Sequence, residues 1–406
     1  MRGDVLSFKF SFPIGLLCLV ENFVLRNPAR TPSVKTLVAI LPEQHRPTMK
    51  NRIIGIDVAR AISIIGMIIV NFKLVLGGQG TKWMENFAGF FDGKASATFV
   101  TLAGVGIALM TNSTLKNGDF EKLKKSKIQI LKRSVFLFIL GLSYFLIWPA
   151  DILHYYAIYM SILLLFFNAS NRTLLIMIGF LILLFPILLS FLNYETAWNF
   201  ETLAYKDFWT PIGFIRNLFF NGFHTVIPWL AFMFLGLWFG RQDLTNERFL
   251  KKTFLFSLIL FLTMHIISFS SIEILSEGQQ QSKEIFTQIL GLEPMPPLPI
   301  YMLTGCSFAL MIISSCILLS SKYEASFLVQ SFHKTGQLAL TFYLAHVIIG
   351  MGIIEEINPS KMGKYPIDFT LPYALFFGIL CVVFAVIWTK YLKTGPLEWV
   401  MRKLTD

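Results

Sequence analysis

The chain has 406 residues, of which 55% are hydrophobic and only 15% are charged. Soluble proteins carry about a quarter charged residues, and a soluble core has no room for 41 phenylalanines beside the other apolar side chains. A formal net charge of +11 would suggest nucleic-acid binding in a soluble protein, but here the basic residues lie in short segments between apolar runs, where they contact lipid headgroups. Composition therefore predicts an integral membrane protein whose partner is the lipid bilayer, and it excludes nucleic-acid binding.

Residues 1–48 differ in composition from the rest of the chain. Their apolar run, 10–20, is too short to span a bilayer, and a polar stretch then leads to Met49, directly before a clear first span. We interpret residues 1–48 as an N-terminal extension produced by a mis-assigned start codon, with natural translation beginning at Met49. Residues 49–406 are expected to form a single transmembrane helical domain.

Apolar runs of spanning length recur from residue 57 onward. A span needs roughly 20 largely apolar residues because the hydrocarbon core is about 30 Å thick and a helix rises about 1.5 Å per residue. Lipid offers no partner to an open backbone, so these runs must be helical. The sequence predicts an all-α, polytopic membrane helix bundle of about ten transmembrane helices. Their expected positions are near 57–76, 95–111, 131–148, 152–168, 173–192, 223–240, 253–275, 299–320, 338–354 and 371–392.

Lysine and arginine are unequally divided between the two sides of this bundle. With ten spans, one side holds 21 of the basic residues after position 48 and the other holds 8. The lysine- and arginine-rich side faces the cytoplasm. The bias predicts that both termini are cytoplasmic and that the protein lies in the plasma (inner) membrane.

Ionisable residues inside the spans are the first candidates for a site, since each costs on the order of 2.5–3.5 kcal/mol at the bilayer centre. Asp151 and His154 lie one helical turn apart at the outer start of the fourth span. A carboxylate beside an imidazole orients the ring and supports its cation, as a general base requires. Asp151 could equally cap the helix. His224, at the same outer level in the sixth span, is the third catalytic candidate.

Six further residues are candidates for substrate binding, each with a structural alternative such as a helix-start acid, a snorkelling cation or an interhelical hydrogen bond. They are Asp57, Arg60, Asn71, Lys94, Arg241 and His346. Asp57 and Arg60 have the spacing of an ion pair on one helix face. The histidines show no HExxH or HxxxH spacing and the cysteines no CxxC motif, so we expect neither a metal site nor a disulfide framework.

Several segments together resemble the transmembrane acyltransferase superfamily, which includes the heparan-α-glucosaminide N-acetyltransferase-like and YeiB-like membrane proteins. The resemblance extends over nearly all of residues 50–404, and the order of its motifs is more specific than any one motif. The motifs are Arg52-Ile-Ile-Gly-Ile-Asp57-Val-Ala-Arg60 running to Asn71, Phe91-Asp92-Gly93-Lys94, Asp151-Ile-Leu-His154-Tyr-Tyr, Ile227-Pro228-Trp229, Gly336 to His346, and Gly395-Pro396-Leu397-Glu398-Trp399.

This resemblance implies transfer of an acyl group from cytoplasmic acetyl-CoA, or another acyl-CoA, to a sugar hydroxyl or an amine on the far side. Arg60 and Arg241 would contact the CoA phosphates, because guanidinium groups match phosphate geometry. The N-acetyltransferase branch has a catalytic histidine in its first outer loop, whereas residues 77–93 contain none. His154 or His224 would then supply the base.

Two other functions fit the same residues. In a transporter or permease, Asp151, His154 and His346 would line a polar pathway. Broken helices in matching halves would favour transport, and the sequence shows no sign of them. A membrane protein without turnover is the third reading.

Overall fold

A computed structural model describes residues 52–200 and 202–406. Ile54–Asp406 forms one compact unit that is almost entirely helical, so the predicted all-α membrane helix bundle is confirmed. The expected extension 1–48 and the expected start at Met49 lie outside the described residues.

Sixteen α-helices and one two-stranded antiparallel sheet occur within these residues. The helices are α1 (Ile54–Leu76), α2 (Lys82–Gly89), α3 (Lys94–Lys116), α4 (Phe120–Ser143), α5 (Leu153–Leu163), α6 (Asn171–Phe191), α7 (Pro211–Arg216), α8 (Val226–Gly240), α9 (Glu247–Ser276), α10 (Gln280–Leu290), α11 (Pro299–Lys322), α12 (Phe327–Gln337), α13 (Ala339–Ala345), α14 (Gly352–Ile357), α15 (Ile367–Tyr391) and α16 (Pro396–Thr405). The strands are β1 (Trp198–Asn199) and β2 (Ala204–Tyr205), with Trp198 opposite Tyr205.

Each predicted span coincides with a helical segment, but the segments differ in length and polarity. Over the described part of the chain, seven are long and apolar enough to cross a membrane, and eight if α7 and α8 count as one bent span. The other two predicted spans fall on α4, whose first half is rich in lysine, and on the short α5. The count of about ten stays a prediction.

Helices α1 and α3 form the centre of the bundle. Helix α1 packs against α3, α11, α12 and α15, and α3 packs closely against α8. Glycines permit this approach, because a Cβ added at Gly104 would lie 2.2 Å from the Met233 carbonyl oxygen and one at Gly236 would lie 1.9 Å from that of Thr101. The interior positions of the bundle are therefore fixed by backbone-to-backbone contact.

Two interruptions set the geometry of the interior. Helix α7 runs into a π-helical turn, Asn217–Asn221, and the segment ending there meets α8 at a bend of 52°. A second π-helical turn, His346–Met351, follows α13. This bend lies between Asn221 and Val226, at the start of the span that the sequence predicts over 223–240. Helix α5 with its terminal 3₁₀ turn, Leu153–Phe166, is roughly 21 Å long, less than the approximately 30 Å hydrocarbon core.

Candidate functional site

A buried carboxylate–imidazole pair at the start of α5 forms the centre of the candidate site. Asp151 Oδ2 lies 2.9 Å from His154 Nδ1 and also accepts the backbone N–H of His154 at 3.1 Å. Both side chains are 0% exposed. The sequence predicts this pair at the outer end of a span, and in the structure the rings of Phe145 and Phe208 lie against His154.

Two tyrosine hydroxyls donate hydrogen bonds to the other carboxylate oxygen of Asp151. Tyr343 donates to Asp151 Oδ1 at 3.0 Å, and Tyr144 donates to the same atom. The Tyr343 oxygen also accepts the backbone N–H of Ile152 at 3.1 Å. Buried carboxylates are tolerated when they are hydrogen-bonded, and both oxygens of this one are.

Sequence reasoning missed these two tyrosines. Tyr343 precedes the candidate His346 by three residues, a spacing that places both on one helix face, so a signal existed. Tyr144 lies in the turn that follows α4, where no periodic pattern marks its direction.

The hydrogen bonds of Asp151 determine the role of the imidazole. An ionised carboxylate only accepts hydrogen bonds, so His154 Nδ1 carries a proton, and Nε2 has a free lone pair whenever the ring is neutral. That Nε2 is buried and has no hydrogen-bond partner within residues 52–200 and 202–406. A buried nitrogen without a hydrogen-bond partner lowers the stability of the fold by on the order of 1–3 kcal/mol. A ligand that donates a hydrogen bond to this nitrogen would remove that cost.

Three more buried polar atoms without a hydrogen-bond partner in the described part of the chain continue from His154. They are His224 Nδ1, Trp229 Nε1 and Tyr301 Oη. Successive ring contacts connect them, with centroid distances of 4.0 Å from His154 to Tyr155, 6.1 Å from Tyr155 to His224, 4.6 Å from His224 to Trp229 and 6.1 Å from Trp229 to Tyr301. We call the four side chains His154, His224, Trp229 and Tyr301 the orphan-atom line. Together they offer both hydrogen-bond donors and acceptors to a polar ligand.

The break between α7 and α8 positions His224 within the orphan-atom line. The Tyr159 hydroxyl donates to the His224 carbonyl, and the Tyr155 hydroxyl donates to Asn217 in the π-helical turn. Both tyrosines belong to α5, which also carries His154. The broken span and the catalytic candidates are thus joined by hydrogen bonds from a single helix.

His346 is linked to the same carboxylate indirectly, through Tyr343. Its Nε2 lies 2.9 Å from Asn71 Nδ2, which can only donate. The His346 ring centroid is 5.3 Å from that of Tyr343, whose hydroxyl bonds Asp151. The fold therefore brings together candidates from α1, from the π-helical turn after α13 and from the start of α5.

Asp57 and Arg60 lie apart from this centre, near the start of α1. Arg60 Nη1 donates to Asp57 Oδ1 at 2.7 Å. His333 Nδ1, which the sequence reasoning missed, lies 3.1 Å from Asp57 Oδ2, and its Nε2 is 2.9 Å from the Gln337 amide nitrogen. The Asp57 side chain is 1% exposed and that of Arg60 is 26% exposed, so a ligand can reach only the guanidinium.

Lys94 is separate from both groups. It opens α3 with 4% of its surface exposed, and its ammonium lies 6.0 Å from the centroid of the Phe90 ring. The neighbouring carboxylate of Asp92 is paired with Lys73. Lys94 is thus enclosed at the end of the bundle where α1 ends and α3 begins.

Arg241 is held by backbone groups. It donates to the carbonyls of Phe167 and Ala169 at 2.8 and 2.6 Å, which follow the end of α5. These two bonds use donors that a phosphate would otherwise take, so the structure offers less for a phosphate contact here than at Arg60.

The described residues include no group of three or more His, Cys, Asp or Glu side chains that could hold a metal ion. Cys306, Cys316 and Cys381 are buried free thiols.

Two family models match the chain. The model described as "Heparan-alpha-glucosaminide N-acetyltransferase, catalytic" matches residues 52–274, which include α1, the Asp151–His154 pair and the broken span. The model described as "Protein of unknown function (DUF418)" matches residues 238–406.

Similar proteins occur in bacilli. "Uncharacterized protein YxaH" of Bacillus subtilis (strain 168) is 24% identical over 416 aligned positions, covering 89% of this chain and 96% of that protein. "Uncharacterized 39.9 kDa protein in amylase 3'region" of Bacillus acidopullulyticus is 24% identical over 377 positions, covering 88% of this chain and 94% of that protein.

Proposed function

The chain belongs to the family of the heparan-alpha-glucosaminide N-acetyltransferase catalytic domain, and on that premise we propose that it is a membrane acyltransferase. The donor is acetyl-CoA, or another acyl-CoA, bound from the cytoplasmic side. The acceptor is a hydroxyl or amine of a sugar or other small molecule on the opposite side. The excess of lysine and arginine on one side supports this orientation.

The observation that carries the proposal is the Asp151–His154 pair with its free Nε2. In the reaction, Nε2 accepts the proton of the acceptor hydroxyl or amine while the acceptor atom attacks the thioester carbonyl. A bond forms between the acceptor atom and the acyl carbon, and the carbon–sulfur bond breaks. The leaving thiolate then takes the proton from His154, which returns to its neutral form as free CoA departs. Asp151 supports the imidazolium in between.

This assignment accounts for the missing histidine in the first loop. Residues 77–93 contain none, and they connect α1 to α3 through the short α2. His154 lies instead on α5 inside the bundle, with His224 beside Tyr155. We assign the proton-accepting role to His154. We assign a binding role to His224, Trp229 and Tyr301, whose free polar atoms can form hydrogen bonds with a hydroxyl-rich acceptor.

The test is acetyl transfer by purified protein in lipid nanodiscs, with isotopically labelled acetyl-CoA and a panel of amino sugars and sugar alcohols. Acetylated product is identified by mass spectrometry and free CoA by thiol titration. His154→Ala should lower the rate by about 10²–10⁴-fold, the contribution typical of a general base. The matched control is His265→Ala, because among residues 52–200 and 202–406 the hydrogen bond of His265 goes to the Phe261 carbonyl of its own helix, at 2.8 Å. Full activity in His154→Ala overturns the assignment.

A transporter is the second candidate, and the 52° break between α7 and α8 favours it. The two functions differ in their ligand. Saturating acetyl-CoA should raise the melting temperature of an acyltransferase because it binds the folded state. No shift with acetyl-CoA, together with saturable solute uptake into proteoliposomes, would favour transport.

A further inference from the structure

A groove lined with lysines lies at the junction of α4 and α16. It is an open cavity of about 450 Å³, within the roughly 300–1,000 Å³ typical of small-molecule sites. Lys122, Lys125, Lys132 and Gln129 line it from α4, and Asp406 lines it from the end of α16. The charged first half of α4 thus faces a concave surface.

The basic residues of this groove follow the helix period. Lys122, Lys125, Gln129 and Lys132 are three or four positions apart, so they lie along one stripe of α4. Lysine ammonium groups gathered on one concave surface raise the local concentration of anions. Lys124, one position from this stripe, is exposed and does not line the cavity.

One anion already occupies the end of the groove, and it belongs to the chain itself. The Asp406 Oδ1 atom accepts hydrogen bonds from Gln129 Nε2 at 2.6 Å and from Arg133 Nη2 at 2.8 Å. Partial burial opposes ionisation of Asp406, but the bonds from Arg133 and Gln129 outweigh it and hold the pKa of this carboxyl below its usual value. Arg133 Nε is buried and has no hydrogen-bond partner over the residues described. The guanidinium therefore retains a donor for a second acceptor.

We propose that the groove binds the adenosine 3′,5′-bisphosphate end of CoA, and that the Asp406 carboxylate occupies Arg133 until a phosphate group displaces it. This inference rests on the proposed function for the identity of the donor. Three lysines and an arginine match a ligand that carries several phosphate charges better than a single phosphodiester headgroup. The Asp406 carboxylate is then a built-in competitor that lowers the affinity for the donor.

Binding of adenosine 3′,5′-bisphosphate to detergent-purified protein at fixed salt concentration tests the groove, with calorimetry and the shift in melting temperature as readouts. The double variant Lys125→Gln/Lys132→Gln should weaken binding by at least 10-fold. Asp406→Asn should tighten it several-fold, because the competing charge is removed. Lys124→Gln is the matched control and should bind as the wild type does. Melting of each variant without ligand reports folding separately.

Three outcomes would overturn the inference. The first is unchanged affinity in the double variant, and the second is an equal loss in Lys124→Gln, which would make the effect one of net charge alone. The third is stabilisation by phosphatidylglycerol with no response to the nucleotide, which would make the groove a lipid headgroup site. An Asp406→Asn variant that binds more weakly would remove the competitor role.

Failure of the groove and failure of the proposed function give different results. The nucleotide assay contains neither acyl group nor acceptor, so nucleotide binding without any acyl transfer leaves the groove and removes the function. Acyl transfer with an unchanged KM for acetyl-CoA in Lys125→Gln/Lys132→Gln keeps the function and removes the groove.

Discussion

Two carboxylate–histidine pairs occur within the described part of the chain, and they differ in what surrounds them. His154 Nδ1 lies 2.9 Å from Asp151, and His333 Nδ1 lies 3.1 Å from Asp57. Around the first pair, tyrosine hydroxyls bind the carboxylate and the far ring nitrogen is free of any partner in the described chain. Around the second pair, Arg60 binds the carboxylate.

The difference shows that the neighbours of such a pair decide its chemistry. A tyrosine hydroxyl is neutral, so the Asp151 charge is left to support an imidazolium on His154. The guanidinium of Arg60 already balances Asp57, and the Gln337 amide engages the far nitrogen of His333. The first arrangement suits proton transfer, whereas the second suits the packing of α12 against α1.

The largest expected effect is on kcat, and it should distinguish substitution of Asp151 from substitution of Asp57. Asp151→Asn should lower kcat for acyl transfer by about 10²–10⁴-fold, because the amide cannot support the imidazolium that forms on His154. Asp57→Asn should leave kcat within several-fold of the wild type and lower the melting temperature, because Arg60 loses a charged partner. Steady-state kinetics at saturating acetyl-CoA and thermal unfolding measure the two effects. Equal losses of kcat would break the distinction between the pairs.

Local patterns explain how much of this the sequence could predict. The length of the apolar runs predicted the helix bundle, and the spacing of Asp151 and His154 predicted their pairing, because both depend only on neighbouring residues. The bond from Tyr343 to Asp151 joins residues 192 positions apart. Such a contact follows from the packing of whole helices, which no single-sequence pattern specifies.

The broken span and His333 were missed for related reasons. The sequence predicted a sixth span that begins at residue 223, so α7 and the π-helical turn lay before it, and the bend is accompanied by hydrogen bonds that α5 makes to Asn217 and to the His224 carbonyl. His333 lies in a polar stretch, where a histidine has no cost that marks it as a site. Its partner, Asp57, is on a distant helix.

A smaller effect is expected at the tyrosines that distinguish the first pair. Tyr343→Phe removes a donor to Asp151 and also leaves the Ile152 N–H without its acceptor. We expect a loss of about 1–3 kcal/mol in the free energy of unfolding and a kcat reduced by roughly 10-fold. Tyr144→Phe removes only a donor to the same carboxylate oxygen, so its loss of stability should be smaller. Equal destabilisation would show that the Ile152 contact contributes little.

The smallest effect concerns the junction between α12, which carries His333, and α13, which carries Tyr343. Glu398 accepts the backbone N–H groups of Leu340 and Thr341 at 2.7 and 3.1 Å and the Thr341 hydroxyl at 2.6 Å, so it caps the start of α13. Helix α13 carries Tyr343, and α12 with His333 ends just before it. Glu398→Ala should cost about 0.5–2 kcal/mol of stability, as loss of a cap does. The same variant should also lower kcat, because Tyr343 lies beyond the capped turn. Helix α12 ends before that turn, so its structure should change little.

The pH dependence of the Glu398 cap separates its charge from its hydrogen bonds. Burial raises the pKa of Glu398 above its ordinary value of 4.5, although the bonds from Thr341 and Leu340 oppose the shift. A raised carboxyl pKa contributes stability that is fully present below 4.5 and is lost as the pH rises through the higher folded-state pKa. Glu398→Gln keeps an acceptor and cannot ionise, so its melting temperature should fall less than that of the wild type between pH 4.5 and pH 8. An equal change of melting temperature with pH in the two proteins would show that folding leaves the pKa of Glu398 unshifted, which would contradict the effect of burial.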